Sequence, residues 1–197
     1  MLKTIRTFLS CALVVCSVPL ALAQTSTWKI DPTHSAASFT VRHMGISNVH
    51  GRFGGVTGEI TIDPADLSKS SVKATIDTTT IDTGVVSRDN DLKSSNFFDV
   101  ATYPTMTFVS KSITKSSDGY TVTGDLTMHG VTKQVVLAMD PPSVEQAVGK
   151  QTRRGFDATT SIHRQDFGLN WAGMLKSGDA MVGSDVKVTL EIEATKD

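Results

Sequence analysis

From Ser35 onward the chain alternates between apolar and polar positions. Phe39, Val41 and His43 share one parity, against Ser38, Thr40 and Arg42 on the other. A period of two is the signature of a strand with one face turned to a core. The pattern returns at Val56, Gly58, Ile60 and Ile62, which end at the turn Asp63-Pro64, and at Val72, Ala74 and Ile76. It returns again at Met106 and Phe108, at Tyr120, Val122, Gly124, Leu126 and Met128, and at Val131, Lys133, Val135, Leu137 and Met139. A seventh run carries Phe156, Ala158, Thr160 and Ile162, and an eighth carries Val182, Ser184, Val186, Val188, Leu190 and Ile192.

Eight Thr- and Val-rich strands joined by polar turns predict an all-β chain. An open sheet of that size leaves two raw edges, and closure removes them, so the expected architecture is an eight-stranded antiparallel barrel. Closure turns one parity inward in every strand. The predicted lumen residues are Phe39, Val41, Phe53, Met106, Phe108, Val122, Leu126 and Phe156, with Phe97 and Phe98 plugging or rimming one end. One segment breaks the alternation and predicts a short helix in the region 84–96, with Ser87 as its cap and Asp89 in its first turn. The glycines Gly51, Gly54, Gly55 and Gly58 match no phosphate-loop motif and precede a strand, so bulges and a bend are expected there.

Residues 1–23 read differently. Lys3 and Arg6 precede an almost uncharged apolar run from Phe8 to Leu22, and Ala21-Leu22-Ala23 is a small-x-small cleavage signal. This predicts a signal peptide over 1–23, cut between Ala23 and Gln24, and a mature domain over 24–197. Cys11 and Cys16 lie inside the apolar run, so the mature chain would hold no cysteine and no thiolate chemistry. No later apolar run is long enough to span a membrane. The expected compartment is the bacterial periplasm.

The whole chain has 197 residues and a net charge of −1; removing Lys3 and Arg6 leaves 17 basic against 20 acidic residues, or −3. A nucleic-acid partner is not expected at that balance. Zinc-protease, nucleophile-elbow and calcium-loop patterns are absent. Asp31, His34 and Ser35 supply the residue types of a hydrolase triad, but three positions so close on one extended segment converge poorly. His34, His43 and His50 lack the spacing that sets two metal ligands on one face of a strand or helix. The expectation is therefore no catalytic residue, no resident metal and no cofactor. A periplasmic metal-dependent enzyme or metal-binding protein using the His34/His43/His50 region is the alternative.

Several segments, taken together, resemble the YceI-like proteins. Trp28-Lys29-Ile30-Asp31-Pro32-Thr33-His34-Ser35 and Phe39-Thr40-Val41-Arg42-His43 resemble the family's opening, and Gly51-Arg52-Phe53 its next turn. Arg88 to Asp99 resembles the central helix and its exit. Tyr103-Pro104, Gly124 to Lys133 and Arg164-Gln165-Asp166-Phe167-Gly168 are similar to later blocks, in the family's order. The segment Asp140 to Arg154 looks individual. The resemblance implies an extended lipocalin-like barrel that is exported and holds a long-chain isoprenoid or fatty-acid-like lipid, such as a polyprenyl phosphate or quinone-like molecule. The head group of such a ligand would meet His43, Arg52, Arg88 or Arg164 near the mouth. A homodimer is compatible with the sequence but is not read from it.

Overall fold

The computed structural model of the chain describes residues 24–196. The expected leader, including Ala23 at the cleavage junction, lies outside the described residues. The elements in chain order are β1 (Ser26–Ile30), β2 (Ala36–His43), β3 (Ser47–Phe53), β4 (Thr57–Ile62), β5 (Ser71–Asp77) and helix α1 (Val86–Lys93). There follow β6 (Thr105–Lys115), β7 (Tyr120–Met128), β8 (Val131–Met139), β9 (Gln146–Val148), β10 (Gln151–His163) and β11 (Val182–Lys196).

The strands close antiparallel into one ring of eight staves. β1 and β2 are two halves of the first stave, and β3 and β4 two halves of the second. β11 pairs with β2 along Val182–Glu191 and then with β1 at Ala194 and Thr195. Its other edge pairs with β10 from Thr152↔Lys196 to His163↔Asp185. β9 is a flap on the start of β10, within the segment that looked individual.

Both split staves have local causes. Pro32 has no N–H to give a ladder, and the chain turns at Asp31–Ser35. Across that gap the Ser35 hydroxyl accepts from Glu193 N at 3.0 Å and donates to Glu193 O at 3.2 Å, so a side chain replaces the missing backbone partner. The second stave breaks at Gly54–Val56, where Gly55 adopts φ +61°, a left-handed conformation that glycine takes without steric cost. The bend expected from the glycine cluster is thus present. In β6 the ladder with β7 slips between Ser110 and Ser112, and the Ser110 hydroxyl accepts from Val72 N at 2.8 Å.

Helix α1 lies within the predicted region, but its cap differs from expectation. Ser87 is inside the helix, and Val85 occupies the cap position without a side-chain bond. The Asp89 carboxylate reaches back instead, accepting from Thr83 N at 2.8 Å and Thr83 Oγ1 at 2.5 Å. Those bonds hold the Asp89 carboxyl below its ordinary pKa.

Buried side chains form one cluster around Trp28, Ile30, Val56 and Phe156, and a second around Phe53, Met106, Met128 and Phe167. Ile113, Val122 and Leu137 form a third, on the flank of β6, β7 and β8. Among the described residues no helix is long and apolar enough to cross a membrane.

Candidate functional site

The barrel encloses a cavity of about 240 Å³. It is lined from every stave, from the short turn Leu67–Lys69 and Pro142, and from α1 and its exit at Leu92, Phe97 and Phe98. All ten residues predicted for the lumen lie on its wall: Phe39, Val41, Phe53, Phe97, Phe98, Met106, Phe108, Val122, Leu126 and Phe156. The surface they offer is wholly apolar. For scale, an apolar cavity of about 150 Å³ in another protein stays dry and takes up benzene.

The lumen stays open because its bulkiest side chains lie flat. Phe39 is in register with Gly51 on the next strand, and a methyl group added at Gly51 would fall 2.3 Å from the Phe39 ring. The Phe108 ring likewise lies over Gly124 on β7, where an added methyl would fall 2.5 Å from it. Each glycine receives the ring of a neighbouring stave, so the ring covers wall instead of filling the bore. At one end Phe53 meets Phe98 edge-on at 5.3 Å, Phe39 lies 5.7 Å from Phe53, and Phe97 stacks on Trp171 at 5.6 Å. The aromatic pair expected to plug or rim the barrel therefore lies on the lumen wall, with Trp171 stacked on Phe97.

The four residues expected near a head group have other surroundings. Arg52 is exposed and faces Asp82 at 3.5 Å. Arg88 donates to the Thr83 hydroxyl and carbonyl at 2.8 Å each. His43 sits at the end of β2 between Ser47 and Val182, off the lumen wall. Arg164 does line the lumen, but its guanidinium donates to the carbonyls of Gly183, Leu169 and Val182. The ladder between β2 and β11 is interrupted between Val182 and Val186, and that with β10 ends at Asp185, so the Val182 and Gly183 carbonyls lie beside a gap in the pairing. Arg164 supplies their donors. Only 5% exposed, its guanidinium is pushed below the ordinary arginine pKa by burial.

The histidines do not converge. Strand β2 stands between His34 and His43, a separation above about 20 Å at strand rise, and His50 is bonded to Thr40. His34 meets Asp31 instead, with Nδ1 2.9 Å from Oδ2. Two members of the triad-like set come together, but Ser35 is committed to the Glu193 backbone, so the three do not converge. Asp31, His34 and Glu193 form a tight polar cluster, and Arg153 donates to both carboxylates. An arginine in that place already neutralises the charge a cation would use. Hydrogen bonds from the Thr33 hydroxyl, His34 and Thr33 N hold the Asp31 carboxyl well below the usual range.

A YceI-like domain model matches residues 28–194, nearly the whole described barrel. The chain belongs to the YceI family. A Vibrio cholerae relative, a UPF0312 protein, is 36% identical over 162 residues, covering 81% of this chain and 85% of its own. BcnA of Burkholderia cenocepacia superposes with a TM-score of 0.69 at 25% identity, over 83% of this chain and 98% of BcnA. A polyisoprenoid binding domain from Saccharophagus degradans, implicated in plant cell wall breakdown, shares the fold with a TM-score of 0.61 at 19% identity, over 86% of this chain and 98% of that one.

Proposed function

We propose that this YceI-like chain is a lipid carrier that holds the hydrocarbon chain of a long-chain isoprenoid or fatty-acid-like molecule in its lumen. The observation that carries the reading is the wholly apolar cavity reached from every stave. Each CH₂ moved from water into such a wall contributes about 0.8 kcal/mol, and ordering a flexible chain takes back part of it. The polar side chains on that wall are taken up by the backbone, with Ser70 bonded to Asp63 N, Thr160 to Val136 O and Arg164 to three carbonyls, so nothing there satisfies a head group and the head lies outside the bore. The polyisoprenoid binding of the Saccharophagus degradans domain, which has the same fold, agrees with this class of ligand.

The same reading makes the chain a non-catalytic periplasmic protein, released by cleavage after Ala23. N-terminal analysis of the exported protein is expected to start at Gln24 or within a residue or two. Recovery of Met1 in a membrane fraction would remove the periplasmic assignment. The metal-dependent alternative gains nothing from His34, His43 and His50, which lie apart.

The parity of β6 tests the carrier. Phe108 faces the lumen, and Thr107, in register with Thr75 and Thr127, faces out. Phe108→Asp sets a carboxylate against hydrocarbon and is expected to abolish lipid retention. Thr107→Asp is expected to keep it, with folding of both variants checked by circular dichroism. Equal loss from two folded variants would contradict the lumen reading.

A further inference from the structure

Seven joints of the barrel are broad, and one is not. Between β8 and β10 the ladder is reduced to Ala158↔Met139 and Thr159↔Ala138. Beyond it, Thr160 Oγ1 donates to Val136 O at 2.8 Å, and the two strands diverge toward Val131 and His163. The chain then folds back through the short turn Arg164–Phe167, and Phe167, 2% exposed, packs into the cluster that also takes Val131, Val135 and Ile162.

Along this seam lies a second pocket, of about 230 Å³, bounded by Lys133–Val136, Thr160–His163, Asp166 and Phe167. Val135, Thr160 and Ile162 border both this pocket and the lumen. The two spaces are therefore separated by one layer of wall, at the place where strand pairing lapses. Polar residues make up much of the seam pocket's lining: Lys133, Gln134, Ser161 and His163. Lys133 is in register with Leu126, so it stands on the lumen-facing side of β8, yet it is exposed. Among the described residues it has no carboxylate within ion-pairing distance, whereas His163 is held by Asp185 at 3.1 Å. A lysine on the inner parity is costly in a closed apolar wall, and it is tolerated here because its side chain is exposed where the strand pairing lapses.

We propose that the seam pocket between β8 and β10 seats an anionic head group, a phosphate or a carboxylate, whose hydrocarbon chain lies in the lumen, with Lys133 as its cationic partner. This rests on the carrier reading. The tail leaves the bore sideways past Val135 and Ile162, and the head finds an amine, side-chain donors and solvent outside the ladder. Asp166, which lines the same pocket, disfavours a second negative charge there.

The test is a binding titration with the fluorescent fatty acid parinaric acid and, separately, its uncharged methyl ester. A parallel competition uses geranylgeranyl phosphate and geranylgeraniol to tell a phosphate head from a carboxylate. The wild-type chain is expected to bind acid and ester. Lys133→Glu should weaken the acid by about tenfold or more, as loss and reversal of a charge-assisted contact does, and leave the ester within about twofold. Lys133→Arg should keep the acid. The phosphate is expected to lose its advantage over the alcohol in Lys133→Glu alone. Acid binding that is unaffected by Lys133→Glu, or that falls with Arg52→Glu instead, overturns the seam site and leaves the carrier standing. A wild-type chain that takes up neither acid nor ester overturns both.

Discussion

Two charged side chains, Arg164 and Asp31, do work that their exposed counterparts do not. Arg164 spends its guanidinium on the carbonyls of Leu169, Val182 and Gly183, the last two beside an interrupted ladder, and it does so while buried. Removing it leaves buried acceptors unpaired, at about 1–3 kcal/mol for each. Arg164→Met is therefore expected to lower unfolding free energy by roughly 3 kcal/mol or more in denaturant titration, and an unchanged midpoint would deny the carbonyl-bracing role. Asp31 acts through pH. Its folded carboxyl binds a proton less readily than in the unfolded chain, because Thr33 and His34 donate to its charged form. Its contribution is therefore complete above the unfolded carboxylate range and is lost as pH falls below about 4. Asp31→Asn is expected to cost about 1 kcal/mol near neutrality, discounted for its partial exposure. The gap to wild type should narrow on the acid limb. A gap constant with pH would point to lost packing instead of lost charge.

At the scale of elements, the seam has a signature apart from any ligand. In an antiparallel strand alternate amides face opposite edges. Within Thr160–His163 those facing β11 are in a complete ladder, and those facing β8 are not. Hydrogen exchange is expected to show alternate protection there, with the β8-facing amides faster by about tenfold or more. Uniform protection along β10 would mean the joint is closed in solution. This lapse could not be read from sequence, because β8 and β10 both alternate cleanly and pairing depends on how strands splay in space. The one trace was Lys133, a charge on the apolar parity of its run. The eight staves were legible, since most carry their apolar residues at period two. Strand β3 was not, because Asn48, His50 and Arg52 alternate with Val49 and Gly51, too weak an apolar face to register. β1 was missed because the strand is only five residues long before the Asp31-Pro32 turn. The helix was placed by its break in rhythm, but its cap was misassigned, since a carboxylate reaching back from Asp89 is a tertiary choice. The lumen residues were legible for the reason the staves were: closure makes parity equivalent to inside and outside. Arg164 was chosen as a charge near the mouth, and only the structure shows the carbonyls that claim it.

The whole molecule joins an apolar bore, glycines that let Phe39 and Phe108 lie against the wall, an aromatic group at Phe53, Phe97, Phe98 and Trp171, and one thin joint beside a polar pocket. A protein with only a structural part to play would fill such a bore with its own side chains, as small barrels do. Here the interior is left apolar and unfilled. The most direct measurement is organic-solvent extraction of the natively purified, unmodified chain, followed by mass spectrometry of the extract and protein quantification. We expect a long-chain amphiphile at close to one molecule per chain, reduced to background in folded Phe108→Asp and retained in Thr107→Asp. An extract from folded wild-type protein that holds no amphiphile above the level of a non-binding control, with no uptake of added lipid, would contradict the carrier reading.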